Sequence, residues 1–118
     1  MLLGHGSRRE EANRGVGELA AQVERRFPQR VVEVGYLAHG RPTLAEAVAA
    51  ALRRGAQEVV VVPLFLYDGV HVRKDIPEQL EELRQEYPGL PLRCTASLGS
   101  DPRITEIVLD RIREVGEG

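Results

Sequence analysis

The sequence predicts an α/β fold: a doubly wound, flavodoxin-like parallel sheet of four strands with helices on both faces. Three observations predict it. Short β-branched runs alternate with amphipathic helical stripes in the order βαβαβαβα. The most apolar segment, Val59–Leu66, is continuous rather than alternating, the pattern of a strand covered on both faces. The connections are short, with no internal repeat and no low-complexity linker, which suits right-handed crossovers within one domain spanning residues 1–118.

The elements follow in order. Met1–Leu3 is a short apolar strand ended by Gly4-His5-Gly6. Ser7-Arg8-Arg9-Glu10 has the spacing of a capping box, with Ser7 as the expected cap. Ala12, Val16, Leu19, Val23 and Phe27 form the stripe of the first helix, which Pro28 stops. Val31–Leu37 reads as the second strand. After the loop Ala38–Pro42, Thr43 and Glu46 form another capping box; Leu44, Val48, Ala51 and Leu52 mark the buried side of helix two, and Gly55 closes it. Val59–Leu66 is the third strand, with Pro63 placed at a bulge or near its end because proline removes a ladder donor. Tyr67–Lys74 reads as a polar loop, and Asp75 as the cap of a third helix with Pro77 in its first turn and Leu80, Leu83 and Tyr87 inward. Pro88-Gly89 ends that helix, Leu92–Ala96 is the fourth strand, and Asp101-Pro102 opens a last helix carrying Ile104, Ile107, Val108, Ile112 and Val115 before Gly116.

Composition narrows the function. The 118 residues hold 16 basic and 18 acidic side chains, a net charge of −2, so the whole-domain basic footprint of a nucleic-acid binder is absent. No segment approaches the about 18 apolar residues that a membrane helix needs, and Met1–Ser7 has neither the basic nor the apolar region of a signal peptide. Cys94 is the single cysteine, so no internal disulfide can form, and a reducing cytoplasm is the expected location.

In open parallel sheets, ligands bind beyond the carboxyl ends of the strands, where strand order reverses. His5, His39 and His71 each fall after a predicted strand and outside any predicted helix. His5 lies between two glycines at a strand-to-helix turn, where backbone and ligand can approach closely, and a neutral imidazole is a metal ligand. Taken one at a time, each also reads as an ordinary turn or loop histidine. Other chemistries fit less well. Arg9 stands where a dinucleotide fingerprint needs its third glycine. A Walker loop, a nucleophile elbow, paired cysteines and an H-E-x-x-H helix are all missing. A phosphate- or nucleotide-binding module at the helix after Gly6 stays open as an alternative.

Leu2-Leu3-Gly4-His5-Gly6-Ser7-Arg8 with Asn13 resembles the N-terminal signature of the small class II chelatases, the sirohydrochlorin cobaltochelatases with their iron- and nickel-inserting relatives. A second block is longer: Val61-Val62-Pro63-Leu64-Phe65-Leu66, Gly69, His71 and Asp75-Ile76-Pro77. Pro42, Leu44, Glu46-Ala47, Leu98-Gly99 and Pro102 also fall where that family has them, so the resemblance spans nearly the whole chain. It implies ATP-independent insertion of a divalent metal, cobalt first and iron or nickel next, into a sirohydrochlorin-type tetrapyrrole of cobalamin or sirohaem biosynthesis. The metal is a substrate, and no organic cofactor is implied. His5 and His71 are implied as catalytic metal ligands that help strip the pyrrole protons, and the short form is implied to pair as a homodimer. Imidazole does not by itself choose among these metals. Arg8, Arg9, Arg41, Arg73 and Lys74 are expected on the same rim, where they could pair with substrate carboxylates or form an ordinary solvated edge.

Two departures stand out. Ala38 occupies the place of the family's usual glutamate, and Arg41 that of a second acidic residue. His39, beside the lost carboxylate, is the expected third metal ligand or base. The missing carboxylate also leaves room for a carrier of metal or tetrapyrrole that does not turn over.

Overall fold

The computed structural model describes residues 1–67 and 69–116, without the side chains of Ala12 and His71. The strands are β1 (Leu2–Gly4), β2 (Val34–Tyr36), β3 (Val59–Pro63) and β4 (Leu92–Cys94); the helices are α1 (Glu10–Arg26), α2 (Leu44–Arg53), α3 (Val70–Glu86) and α4 (Arg103–Glu114), with a 3₁₀ turn at Leu98–Ser100. The strands form one parallel sheet in the order β2-β1-β3-β4. Leu2 pairs with Val34 on one side and Val62 on the other, and Val59 pairs with Leu92. The chain steps outward from β1 to β2 and then returns across β1 to β3. The strand order therefore reverses at the β1–β3 junction, which places a crevice at its carboxyl end.

Alternation along the strands separates two faces. Leu3, Val59, Val61 and Leu92 meet Leu44 and Val48 from α2 and Leu80 and Leu83 from α3, and this is the main core. On the opposite face α1 lies against β1 and β2, with Ala20 buried and Val16 and Val23 half-buried, whereas Leu19 and Phe27 of the expected stripe stay exposed. Gly4 keeps α1 close, since a Cβ there would reach 3.3 Å from the Tyr36 ring and 3.7 Å from Val16 Cγ2.

The capping box of α2 forms as read: Thr43 Oγ1 accepts from the Glu46 N–H at 3.2 Å, and Glu46 Oε1 accepts from the Thr43 N–H at 2.9 Å. The Ser7 box does not form. Glu10 opens α1 behind Arg9, whose N–H donates to Ser7 Oγ at 3.1 Å. The cause is a competing clamp. Ser7 N–H donates to Asn13 Oδ1 at 3.0 Å, and Asn13 Nδ2 donates to the Ser7 carbonyl at 2.9 Å, which holds Ser7 ahead of the helix.

The third helix is the largest correction. It starts behind Gly69, not at Asp75, and takes in His71, Arg73 and Lys74, which the sequence placed on a loop; Pro77 lies inside it. Val72 and Ile76 explain the longer helix. Both pack on the core and extend the Leu80–Leu83 stripe upstream by helical steps, outweighing the local cost of Pro77. Strands two, three and four are shorter than read. Pro63 ends β3 opposite Leu3, and the Leu64 N–H resumes the pairing by donating to the Leu3 carbonyl at 2.9 Å. The last helix forms as read, but no side chain of α4 is buried. Among the described residues, no helix is long and apolar enough to cross a membrane.

Candidate metal site

The loops after β1 and β2 are laced together beyond the sheet. The Ala38 and His39 N–H groups both donate to the His5 carbonyl, at 2.9 and 3.4 Å. Gly6 adopts φ +94°, and a Cβ there would run into the His39 carbonyl. Only glycine lets the two loops touch in this conformation. The contact turns two histidines that are distant in sequence toward one another. Their ring centroids lie 6.0 Å apart at an interplanar angle of 61°, and Phe65 stands edge-on to His5 at 6.4 Å.

That spacing suits a shared ion. With metal–nitrogen bonds of about 2.1 Å, two imidazoles on one tetrahedral or trigonal ion have centroids roughly 5.3–5.6 Å apart, so a closure of about half an ångström brings this pair onto one ion. In the tautomer that carries its proton on Nδ1, His5 points that N–H at the Gly6 carbonyl 3.3 Å away, which leaves Nε2 as the lone-pair nitrogen. Both rings are exposed, so coordination positions beyond the two nitrogens are open to a substrate. Phe65 supplies an apolar, half-buried wall beside them.

Asn13 is the hub that sequence reasoning read only as part of a signature. Besides the Ser7 clamp, its carbonyl accepts from the Tyr36 hydroxyl at 3.1 Å. Its amide also packs against Gly40, where φ is +90° and a Cβ would approach Asn13 Nδ2 to 2.8 Å. One side chain on α1 thus braces both histidine loops. Its contacts run six residues back to Ser7 and far along the chain to Tyr36 and Gly40, beyond the reach of the capping-box spacing.

The backbone of His71 lies in the first turn of α3, at the rim that follows β3. Its side chain, and so its expected convergence on His5, lies outside the described residues. The pair that the structure brings together is His5 with His39. Among the described residues, no group of three or more His, Cys, Asp or Glu gathers as a metal cage.

The expected basic residues divide. Arg8 and Arg41 are exposed and line a groove of about 680 Å³ between the start of α1 and the Gly40 loop. Arg41 is already bonded to Glu46, through Nε at 3.1 Å and through Nη2. The guanidinium and the Thr43 N–H hold the Glu46 carboxyl far below its ordinary 4.5, at about 2. Arg9 is exposed at the start of α1. Arg73 and Lys74 project from the first turns of α3, with Lys74 Nζ 3.9 Å from Glu78 Oε1.

A protein-family model described as CbiX matches residues 1–115. The sirohydrochlorin cobaltochelatase of Methanopyrus kandleri is 38% identical over 135 residues, covering 97% of this chain and 94% of that one. The chloroplastic sirohydrochlorin ferrochelatase of Arabidopsis thaliana is 31% identical over 96% of this chain, but the match takes in only 50% of its own length. Among solved structures, SirB from Bacillus subtilis with Fe3+ superposes with a TM-score of 0.88 at 26% identity, covering 99% of this chain and 46% of SirB. A putative cobalamin biosynthesis CbiX protein from Marinobacter aquaeolei VT8 gives 0.81 at 31% identity, covering 96% of this chain and 89% of the other. The chain thus spans nearly all of the shorter relatives and about half of the longer ones. Matched along almost its whole length in both sequence and fold, with paired imidazoles at the reversal of its sheet, the chain belongs to the CbiX family.

Proposed function

We propose that this protein is a sirohydrochlorin chelatase that inserts a divalent metal, cobalt first, into the tetrapyrrole without ATP. The observation that carries the reading is the His5–His39 pair, 6.0 Å apart and open to solvent at the carboxyl end of β1. Insertion needs a site that holds the ion yet gives it up. Two or three imidazoles do this, because the remaining coordination positions stay open for pyrrole nitrogens. As the four nitrogens take the metal, two pyrrole N–H protons leave. Imidazoles freed from the metal are bases of suitable strength to receive them at pH 7. His5 and His71 are assigned to holding the metal and accepting protons. His39 is the third ligand, standing beside Ala38, where the family's carboxylate is missing.

Sirohydrochlorin carries many carboxylates, and Arg8, Arg9, Arg73 and Lys74 are assigned to them. Arg41 joins them only by exchanging its bond to Glu46 for one to substrate. A broad planar macrocycle also needs a second wall, and a two-fold pair of this chain supplies one. The reaction belongs to cobalamin or sirohaem biosynthesis, in the cytoplasm.

A carrier reading has one feature in its favour, the alanine at position 38. One assay separates the two. Visible spectra of sirohydrochlorin are followed with Co²⁺, Ni²⁺ and Fe²⁺ on wild type, His5→Ala, His71→Ala and His39→Ala. Chelation predicts many product equivalents per chain and loss of most activity in the first two variants. No more than one equivalent would establish the carrier. Unchanged metal affinity and turnover in His39→Ala would remove His39 from the ligand set.

A further inference from the structure

The groove beside the histidine pair has a built floor. Asn13 makes it: its amide is bonded to both the N–H and the carbonyl of Ser7, at 3.0 and 2.9 Å. The same amide abuts Gly40, where a Cβ would stand 3.5 Å from the Ser7 carbonyl. The start of α1 and the loop after β2 are thus fixed against each other, and about 680 Å³ of open space lies along the seam. The groove adjoins the metal site through the chain itself, since Ser7 follows His5 by two residues and Gly40 follows His39 directly.

Charge in this groove is one-sided. Arg8, Arg14 and Arg41 line it against the single acid Glu10. Arg41 is bonded to Glu46. The exposed guanidiniums of Arg8 and Arg14 make no ion pair among the described residues. Arg14 lies in the second turn of α1, beside Asn13 and one turn beyond Glu10 on the same side of the helix. Glu10 and Arg14 have the spacing at which helix surface pairs form, yet these two make none, so the guanidinium stays available. A position inside a helix gave no sign in the sequence that Arg14 belongs to the rim with Arg8 and Arg41.

We propose that this groove seats peripheral carboxylates of the macrocycle, and that Arg14 binds them together with Arg8. The inference rests on the chelatase reading above and names the part of the protein that grips the substrate's edge. A tetrapyrrole holds its nitrogens at the centre and its carboxylates at the periphery. A macrocycle whose centre faces the imidazoles therefore sends its acidic arms outward over the neighbouring loops, and the groove lies on that path. Guanidinium suits the task, because two of its N–H groups match the two oxygens of a carboxylate in one plane. The clamp of Asn13 on Ser7 and Gly40 orders the floor before substrate arrives, so little further ordering opposes binding.

The test titrates metal-free sirohydrochlorin onto the full chain by absorbance and, separately, measures steady-state insertion. Arg14→Gln is expected to raise both Kd and KM about threefold to fivefold, the upper range for an exposed charge pair, with kcat little changed. Glu10→Gln removes the opposing charge and is expected to lower both. Arg25→Gln makes the same charge change about 16 Å further along α1, beyond the screening length of about 10 Å at 0.1 M salt, and is expected to match wild type. An Arg14→Gln protein that binds like wild type, or a loss in Arg25→Gln as large as in Arg14→Gln, overturns the subsite and leaves the chelatase reading standing. Displacement of sirohydrochlorin by equimolar inorganic phosphate would overturn it too, giving the groove to a phosphate. Wild type that binds no sirohydrochlorin overturns both readings.

Discussion

Gly6 and Asn13 act on the same junction by different means. Gly6 permits the approach of the two histidine loops, because its φ of +94° and missing Cβ let it lie on the His39 carbonyl. Asn13 maintains the approach, because its amide closes a two-bond ring with Ser7 and abuts Gly40. Neither touches the ion in this reading, so both act through the placement of His5 and His39. Groups that orient metal ligands typically change affinity about 10–100-fold when removed. Asn13→Ala is therefore expected to weaken Co²⁺ binding by roughly tenfold, within that range, with the helical content retained; calorimetric titration of the metal reads it. Asn13→Asp keeps the acceptor for Ser7 N–H and loses the donor, so it should fall between. An alanine variant that binds cobalt like wild type would show that the loops hold their geometry without the clamp.

At the scale of elements, α2 shows a cap that pH can dissect. Arg41 and Thr43 hold the Glu46 carboxyl at about 2, against an ordinary 4.5. A carboxyl whose folded value is depressed contributes stability that is complete above the unfolded value and is lost as pH falls through the folded one. The contribution of Glu46 should thus be full above about pH 5 and fade towards pH 2. In Glu46→Gln the amide oxygen can still accept from Thr43, but the charge facing Arg41 is gone. The variant should melt below wild type at neutral pH, and the gap in Tm should close between pH 4.5 and 2. Asp101, held at about 2 by Arg103, titrates in the same window in both proteins and cancels in the difference. A gap that stays constant with pH would mean the charge contributes nothing. The same helix shows what short-range pattern can reveal. Thr43 and Glu46 are three residues apart and satisfy each other, so the sequence announces the start of α2. Ser7 and Glu10 have the same spacing, yet Asn13 takes Ser7 instead, and that competition appears only once α1 has turned back on the loop. Pro77 misled in a similar way. It suits a first turn locally, but Val72 and Ile76 gain core contacts that begin the helix before it.

At the scale of the whole molecule, the parallel α/β class was readable because strands and helices alternate over short connections, while the order β2-β1-β3-β4 emerges only in the folded chain. The parallel direction of the strands directs His5, His39 and the backbone of His71 to one rim. Which imidazoles meet was not readable, since the meeting depends on a glycine contact between loops about 33 residues apart in the sequence. The same rim gathers exposed cations while the protein as a whole carries −2, so attraction of a polycarboxylate substrate must come from local placement and not from net charge. Arg8 and Arg9 are exposed to bulk ions, and their pull is screened beyond about 10 Å at 0.1 M salt. Arg41, already neutralised by Glu46, should contribute least. Raising ionic strength from about 0.05 to 0.5 M, which shortens that screening length about threefold, should therefore raise KM for sirohydrochlorin several-fold with kcat little changed. Arg8→Gln/Arg9→Gln should start from a higher KM and show a flatter salt dependence, whereas Arg41→Gln should keep the wild-type slope. Parallel slopes in wild type and the Arg8/Arg9 variant would move substrate recognition away from the start of α1, leaving Arg73 and Lys74 on α3 as the cations that face the macrocycle.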